Sequence, residues 1–298
     1  MDNRPTVSVI LPVRNRRVLV RRAIESVLAQ TRGDLELIVV DDASTDGSDA
    51  VVAEYLGDPR VRLHRNETNL GAGGARNRGI ALARGTYIAF QDSDDRWFPE
   101  KLARQLAALE AAPDRRICIC GAVYFSPDQC YFIPRPGTID PDRLASGDLS
   151  GTVLASNPVT PQTLLVHRSV FVEVGVFDAD LPINEDWELA IRMSRRHRFV
   201  FVLDPMVMIY RTPDSVSSNR LADAEMRALL LRRYADAYAD APEARAHQNY
   251  LVGCLGLEER AYGLAFTHLH RAFRTGPTPR RLLQILRAYM LFALRAGR

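Results

Sequence analysis

No run of eighteen apolar residues occurs anywhere in the 298-residue chain, so no membrane-spanning helix is expected. The opening Met1-Asp2-Asn3-Arg4-Pro5 lacks the charged-then-apolar layout of a signal peptide, and a cytoplasmic location is expected. Cysteine is scarce. Four residues, Cys118, Cys120, Cys130 and Cys254, are too few to staple a chain this long. Cys118 and Cys120 alternate within residues 117–123 and would face the same side of a strand. No histidine or second cysteine pair stands at zinc-site spacing, so two buried thiols are expected there. Lysine is almost missing: Lys101 is the only one, and arginine carries the rest of the positive charge. Residues 271–298 contain seven arginines and no acid. A net charge of +3 by itself excludes little, and no nucleic-acid partner is expected.

What is present is ordinary for a folded protein. Apolar residues make up 47% and charged residues 25%, enough for one large domain or a core domain with an appendage. Residues 7–13 (VSVILPV) and 35–40 (LELIVV) read as strands buried on both faces. Residues 61–64 and 86–90 read as further strands, and residues 18–30, 48–56 and 75–84 as helices. This alternation predicts an α/β fold with a mainly parallel sheet and helices on both faces. Strands are also expected at 117–125, 162–167, 199–203 and 206–210, and a helix at 185–195. Beyond Leu221 the β pattern stops, and three or four helices are expected with breaks near Pro242 and Pro277. The expected division is an α/β domain over 1–218 and a helical extension over 219–298.

Three polar constellations interrupt this pattern. Asp41-Asp42 follow the second strand at the rim where α/β sheets bind ligands, although the segment through Ser48 also reads as a helix cap. Asp92-Ser93-Asp94-Asp95 put three carboxylates in four residues at the end of another strand. Such charges repel unless a cation shares them, and hard oxygen ligands suit Mg²⁺ or Mn²⁺ bound with a diphosphate. An acidic helix start is the competing account. Between them lies Asn69-Leu70-Gly71-Ala72-Gly73-Gly74-Ala75-Arg76, a glycine-rich approach to a helix that would let backbone amides meet phosphate oxygens. A dinucleotide-dependent oxidoreductase would use these glycines, but they follow a polar stretch instead of a strand.

The order VSVILPVRNR, IVVDDASTDGS, NLGAGGARNRGIALARGTYIAFQDSDD and WFPEKL resembles the family 2 glycosyltransferases of the GT-A fold. The match is strong over residues 6–112 and thinner to Ser218. The resemblance implies an inverting, non-processive hexosyltransferase with a nucleotide-diphosphate-sugar donor, usually a UDP-sugar, and a hydroxyl on a glycan, glycolipid or other acceptor. It implies a role in polysaccharide biosynthesis or related pathways. By position, Pro12 and Asp42 would flank the nucleobase, with Arg14 and Arg76 as further nucleotide contacts. Asp92 and Ser93 would meet the donor, Asp92 and Asp94 the metal, and Asp186 of Asn184-Glu185-Asp186-Trp187 would be the general base. Capping of the following helix is the plain alternative for Asp186.

Two departures follow from the same resemblance. The histidine that often follows the Tyr-Arg segment is replaced by Thr212-Pro213-Asp214, so either Asp214 is the third metal ligand or the diphosphate and water complete the shell. The Gln-x-x-Arg-Trp motif of processive synthases is missing after Asp186. A non-catalytic nucleotide-sugar-binding module would keep the pocket without turnover. The basic C-terminal helices leave four roles open: covering the core, forming a homodimer, docking a carrier protein, or making peripheral contact with an anionic membrane.

Overall fold

Apolar, largely β-branched runs without helical spacing are driven into the middle of a sheet, where both faces are covered. The computed structural model, which describes residues 4–134, 139–210 and 219–296, has them there. The strands are β1 (Val7–Val13), β2 (Leu35–Asp41), β3 (Val61–Arg65), β4 (Tyr87–Phe90), β5 (Arg96–Trp97), β6 (Ile117–Phe125), β7 (Cys130–Ile133), β8 (Leu164–His167) and β9 (Phe199–Tyr210). Helices α1 (Val20–Leu28), α2 (Ser48–Ala53), α3 (Gly71–Leu82) and α4 (Lys101–Glu110) alternate with the early strands. Short helices α5 (Pro141–Ser146), α6 (Thr152–Ala155) and α7 (Ser169–Val174) precede α8 (Glu185–Ser194). The C-terminal region holds α9 (Arg220–Arg233), α10 (Ala235–Ala239), α11 (Pro242–Glu258), α12 (Tyr262–Thr275) and α13 (Pro279–Ala296).

The strands form one sheet in the order β3-β2-β1-β4-β8-β6-β9-β5, with β7 paired to β6. From β3 to β4 the pairing is parallel throughout. Beyond β4 it is mixed: β8 is antiparallel to both neighbours, β9 is parallel to β6, and β5 and β7 are antiparallel additions. The expected mainly parallel sheet thus holds for the first half. The short link between β6 and β7 has room only for a hairpin, which forces antiparallel pairing. The two strands expected at 199–203 and 206–210 are one strand, β9, whose register against β6 slips where Pro205 faces Gly121. Proline cannot donate to the ladder, so it sits at the bulge.

Alternation along β1 divides the core. Val7, Val9, Leu11 and Val13 pack with Val20, Ile24 and Val27 of α1 and with Leu102 and Leu106 of α4. On the opposite face Ile10 meets α3, and Phe90 meets the edges of Phe171 and Phe177 at 6.1 and 5.3 Å between ring centres. Cys118 and Cys120 lie in the first of these clusters, and burial pushes their thiols up to about 12 and about 11, so they stay protonated packing groups. Lys101 is buried beside them, donating to Gln105 Oε1 at 2.8 Å with its Nζ 3.9 Å from the Trp97 ring centre.

Gly79 sets how closely α3 approaches β1, because a β-carbon there would overlap the Ile10 side chain. Gly79→Ala should cost about 1–3 kcal/mol of stability by overpacking, read as a lower urea midpoint at unchanged slope.

The chain divides into two compact units, one of Met1–Leu149 with Pro158–Pro213 and one of Ser150–Asn157 with Asp214–Arg298. The second is the helical one. Sequence alone did not place Ser150–Asn157 in it. There α6 is held by α10 and α11: Tyr238 Oη donates to Leu154 O at 3.0 Å, and Gln248 Nε2 to Ala155 O at 2.6 Å. Among the described residues five helices follow Asn219, with an unforeseen break at 259–261, where Arg260 has φ of 59°.

Candidate active site

The carboxyl ends of β1, β2 and β4 lie side by side in the sheet, so the loops leaving them share one rim. After β2, Asp42 is 3% exposed and its Oδ1 accepts from Asn66 Nδ2 and from Leu70 N, both at 2.8 Å. Its second carboxylate oxygen takes no hydrogen bond from the described residues. That oxygen is held in place by the first. Pro12 is half-buried nearby on β1, and exposed Arg14 donates through Nη1 to the Asp42 backbone carbonyl at 2.9 Å. Gly47 stands at the N-cap of α2, and Asp46 before it takes the first helical amide, its Oδ1 accepting from Ser48 N at 2.9 Å and Ser48 Oγ at 2.6 Å.

After β4 the acidic cluster separates into two functions. Asp95 is 2% exposed and turned inward, accepting from Tyr210 N at 2.9 Å and Gln162 Nε2 at 2.8 Å. Burial, together with the charges of Asp92 and Asp94, holds its pKa well above the usual carboxylate range. Asp95 therefore anchors the loop to β9, and only Asp92 and Asp94 stay half-exposed, with Ser93 buried between them. Arg22 donates to the Asp94 carbonyl and lies 4.5 Å from the Tyr210 ring centre, which fixes the turn from a second side.

Among the described residues no three His, Cys, Asp or Glu side chains come together to cage a metal, and Asp214 lies outside the described residues. Asp92 and Asp94 are a smaller donor set. It suits a hard divalent ion that takes its other ligands from a diphosphate and water, as Mg²⁺ commonly does. The charges of Asp92 and Asp94, which add to burial in raising the Asp95 pKa, are the charges such an ion would meet.

The third part arrives from α8. Asn184 precedes it in the left-handed region at φ of 60°, which turns Glu185 and Asp186 to the helix start. Arg76 on α3, 5% exposed, ties the parts together: its Nη2 donates to Asp92 Oδ1 at 2.8 Å and its Nη1 to Glu185 Oε1 at 2.6 Å. Burial opposes the guanidinium charge, yet Asp92 and Glu185 overcome it and raise the Arg76 pKa. Burial, and then the Glu185 charge, push Asp186 up to about 7 against the pull of Arg76. A carboxylate half-ionised at neutral pH can exchange a proton with a substrate hydroxyl.

Asp92, Arg76, Glu185 and Asp186 are thus one electrostatic group. Asp42, Pro12 and Arg14 form a second group on the same rim. Several contributors escaped sequence reading: Asn66 on Asp42, Gln162 and Tyr210 on Asp95, and Glu185 as the partner of Arg76. Their separations, from 24 to 115 residues, leave no local signal. In the glycine-rich loop, Leu70 N goes to Asp42 Oδ1 and Gly71 N, the first amide of α3, to Asn69 Oδ1 at 3.1 Å.

Comparison with known proteins agrees with this layout. The model of the family described as Glycosyl transferase family 2 matches residues 8–164, a span containing Asp42, Arg76, Asp92 and Asp94 but ending before Asp186. An uncharacterized glycosyltransferase of Rickettsia typhi is 32% identical over 221 residues, 72% of this chain and 66% of that protein. The succinoglycan biosynthesis protein ExoO of Rhizobium meliloti is 46% identical over 112 residues, 38% of this chain and 32% of that one. The chain spans between about a third and two thirds of the length of these curated relatives. S. aureus TarS 1-349, solved in complex with UDP-GlcNAc, superimposes with a TM-score of 0.63 at 18% identity, over 95% of this chain and 79% of that one. The mannosyltransferase PcManGT of Pyrobaculum calidifontis, solved with GDP-Man and Mn2+, gives 0.62 at 19% identity, over 99% and 80%. At such identities the likeness shows the fold alone, which is the GT-A fold of these neighbours. The family match over more than half of the sequence, on the strands and loops that build the rim, means that this chain belongs to glycosyl transferase family 2.

Proposed function

We propose that the protein transfers a sugar from a nucleotide-diphosphate donor, a UDP-sugar, to an acceptor hydroxyl with inversion and in a non-processive manner. The single observation that carries this reading is Arg76, which joins the Asp92 carboxylate at the end of β4 to Glu185, next to Asp186. One rim then offers a donor corner and a proton acceptor within a shared charge network. In this reading Pro12 and the free oxygen of Asp42 receive the nucleobase, Arg14 lies beside the nucleotide, and Ser93 borders the donor. Asp92 and Asp94 would hold Mg²⁺ or Mn²⁺ with the donor diphosphate, and the ion would supply the positive charge that stabilises the departing diphosphate. Asp186 accepts the proton of the acceptor hydroxyl as that oxygen attacks the anomeric carbon opposite the diphosphate. Direct displacement from that side inverts the configuration. Arg76, paired with Glu185, pulls the Asp186 pKa down against burial and the Glu185 charge and so favours its proton-accepting form. Relatives named for succinoglycan and teichuronic acid biosynthesis support a glycan acceptor.

Hydrolysis and transfer measured over UDP-, GDP- and dTDP-sugars with Mg²⁺ and Mn²⁺ test this directly. UDP-sugar turnover should stop on chelation, and Asp94→Asn should raise the half-saturating Mn²⁺ concentration at least tenfold, about 1.4 kcal/mol of binding. Binding of NAD(P) in preference to UDP, or turnover indifferent to chelation and to Asp94→Asn, would overturn the reading.

A further inference from the structure

Helix α13 buries only one side. Ile285 and Ala288 enter the core of the helical unit with Leu257, Ala265 and Leu269. The opposite side is apolar and exposed: Leu282 44%, Leu283 63%, Leu286 57%, Met290 57% and Leu294 63%. At 100° per residue these five side chains cover an arc of about 120°, the width of a stripe that ordinarily faces a core. Single exposed leucines need no explanation, but a continuous stripe over more than three turns marks a contact surface.

Charge selects the partner. Arg280 and Arg287, both exposed, flank the stripe along one edge. Beside them is a cavity of about 290 Å³ between α11 and α13, lined by both arginines with Tyr250, Gln284 and Glu258. Glu258 is paired with Arg220, and Arg280 is steered by Tyr250, donating to its Oη at 3.1 Å with the guanidinium 5.6 Å from the ring centre. The sequence from 271 to 298 has seven arginines and no acid. Pairing of two copies through this stripe would set arginine flanks together with no carboxylate on either helix to offset them. A layer presenting acyl chains below and phosphates at the rim complements both features at once. Among the described residues no helix is long and apolar enough to cross a membrane, so the fit is to its surface.

We infer that α13 docks the protein on an anionic lipid bilayer, with its leucine stripe at the acyl boundary and Arg280 and Arg287 on lipid phosphates. The inference uses residues of the helical unit only and stands apart from the sugar-transfer reading. Flotation of the full chain with vesicles of phosphatidylcholine alone, or of an equal mixture with phosphatidylglycerol, tests it. Binding should be confined to the mixed vesicles and should fall as salt is raised. Arg280→Gln with Arg287→Gln should weaken it roughly thirtyfold, at about 1 kcal/mol per arginine. Leu283→Glu, Leu286→Glu and Met290→Glu together should abolish it with circular dichroism unchanged. If that triple variant fails to fold, the exposed arginine pair carries the test alone. The proposal falls if wild type does not float with mixed vesicles, or if it binds phosphatidylcholine equally. It also falls if the arginine variant is unaffected, or if the stripe instead supports a concentration-dependent dimer that Leu286→Glu dissolves.

Discussion

Asp186→Asn should lower the transfer rate about 10²–10⁴-fold, or about 3–5 kcal/mol in barrier, while donor KM stays near wild type. Asparagine keeps the shape and the hydrogen bond from Trp187 N, seen at 2.7 Å, but cannot accept the proton. The pH profile of wild type gives a second check. Asp186 is pushed up to about 7, so the base form is half-populated there and kcat/KM should rise with pH and level off near pH 8. At pH 5 it should be down about a hundredfold, tenfold per pH unit below the pKa. Stability should move the other way. The folded pKa of Asp186 exceeds the unfolded value of about 4, so the folded state binds the proton more tightly. Its stabilising contribution is present at low pH and is lost as pH rises toward 7. At pH 8 the asparagine variant should therefore melt no lower than wild type. A large loss of melting temperature with a small loss of rate would assign Asp186 to helix packing instead.

The contrast between the two readings of this chain is physical. The sheet was legible because VSVILPV and LELIVV carry their burial in composition, and Ile117–Phe125 appears with the bounds that its pattern predicts. Two-residue β5 and the half-exposed β7 carry no such pattern: β5 owes its pairing to β9, distant in sequence, and β7 to the hairpin it makes with β6. The same holds at the rim. Acids at strand ends could be picked out, but not that Asp95 faces inward while Asp92 and Asp94 do not. That difference is decided by Tyr210, at the end of β9, and Gln162, just before β8, which the pairing of β9 with β5 and of β8 with β4 brings within hydrogen-bond reach. Arg76 was expected among the nucleotide contacts. Its bridge to Glu185 spans 109 residues, and only the packing of α3 against the sheet makes it possible.

That bridge leads to the second large effect. Arg76→Gln should cost about 3 kcal/mol of stability, the lower part of the range for breaking a buried pair, because Asp92 remains partly exposed. The variant leaves Asp92, Glu185 and Asp186 facing one another without their cation. Since the Arg76 charge, ahead of the Trp187 amide, is the larger pull holding the Asp186 pKa down, its loss should move the acid limb of the pH–rate profile upward from about 7. Activity at neutral pH then drops even in molecules that remain folded. Arg76→Lys separates charge from geometry: an ammonium restores the local charge, but it lacks the planar fork that reaches Asp92 and Glu185 together. Its pH limb should return toward wild type while part of the stability loss persists. A donor-KM rise in both variants, with the limb unmoved, would show the guanidinium acting on the nucleotide and not on Asp186. An unchanged limb in Arg76→Gln with KM also unchanged would leave the charge network without a part in proton transfer.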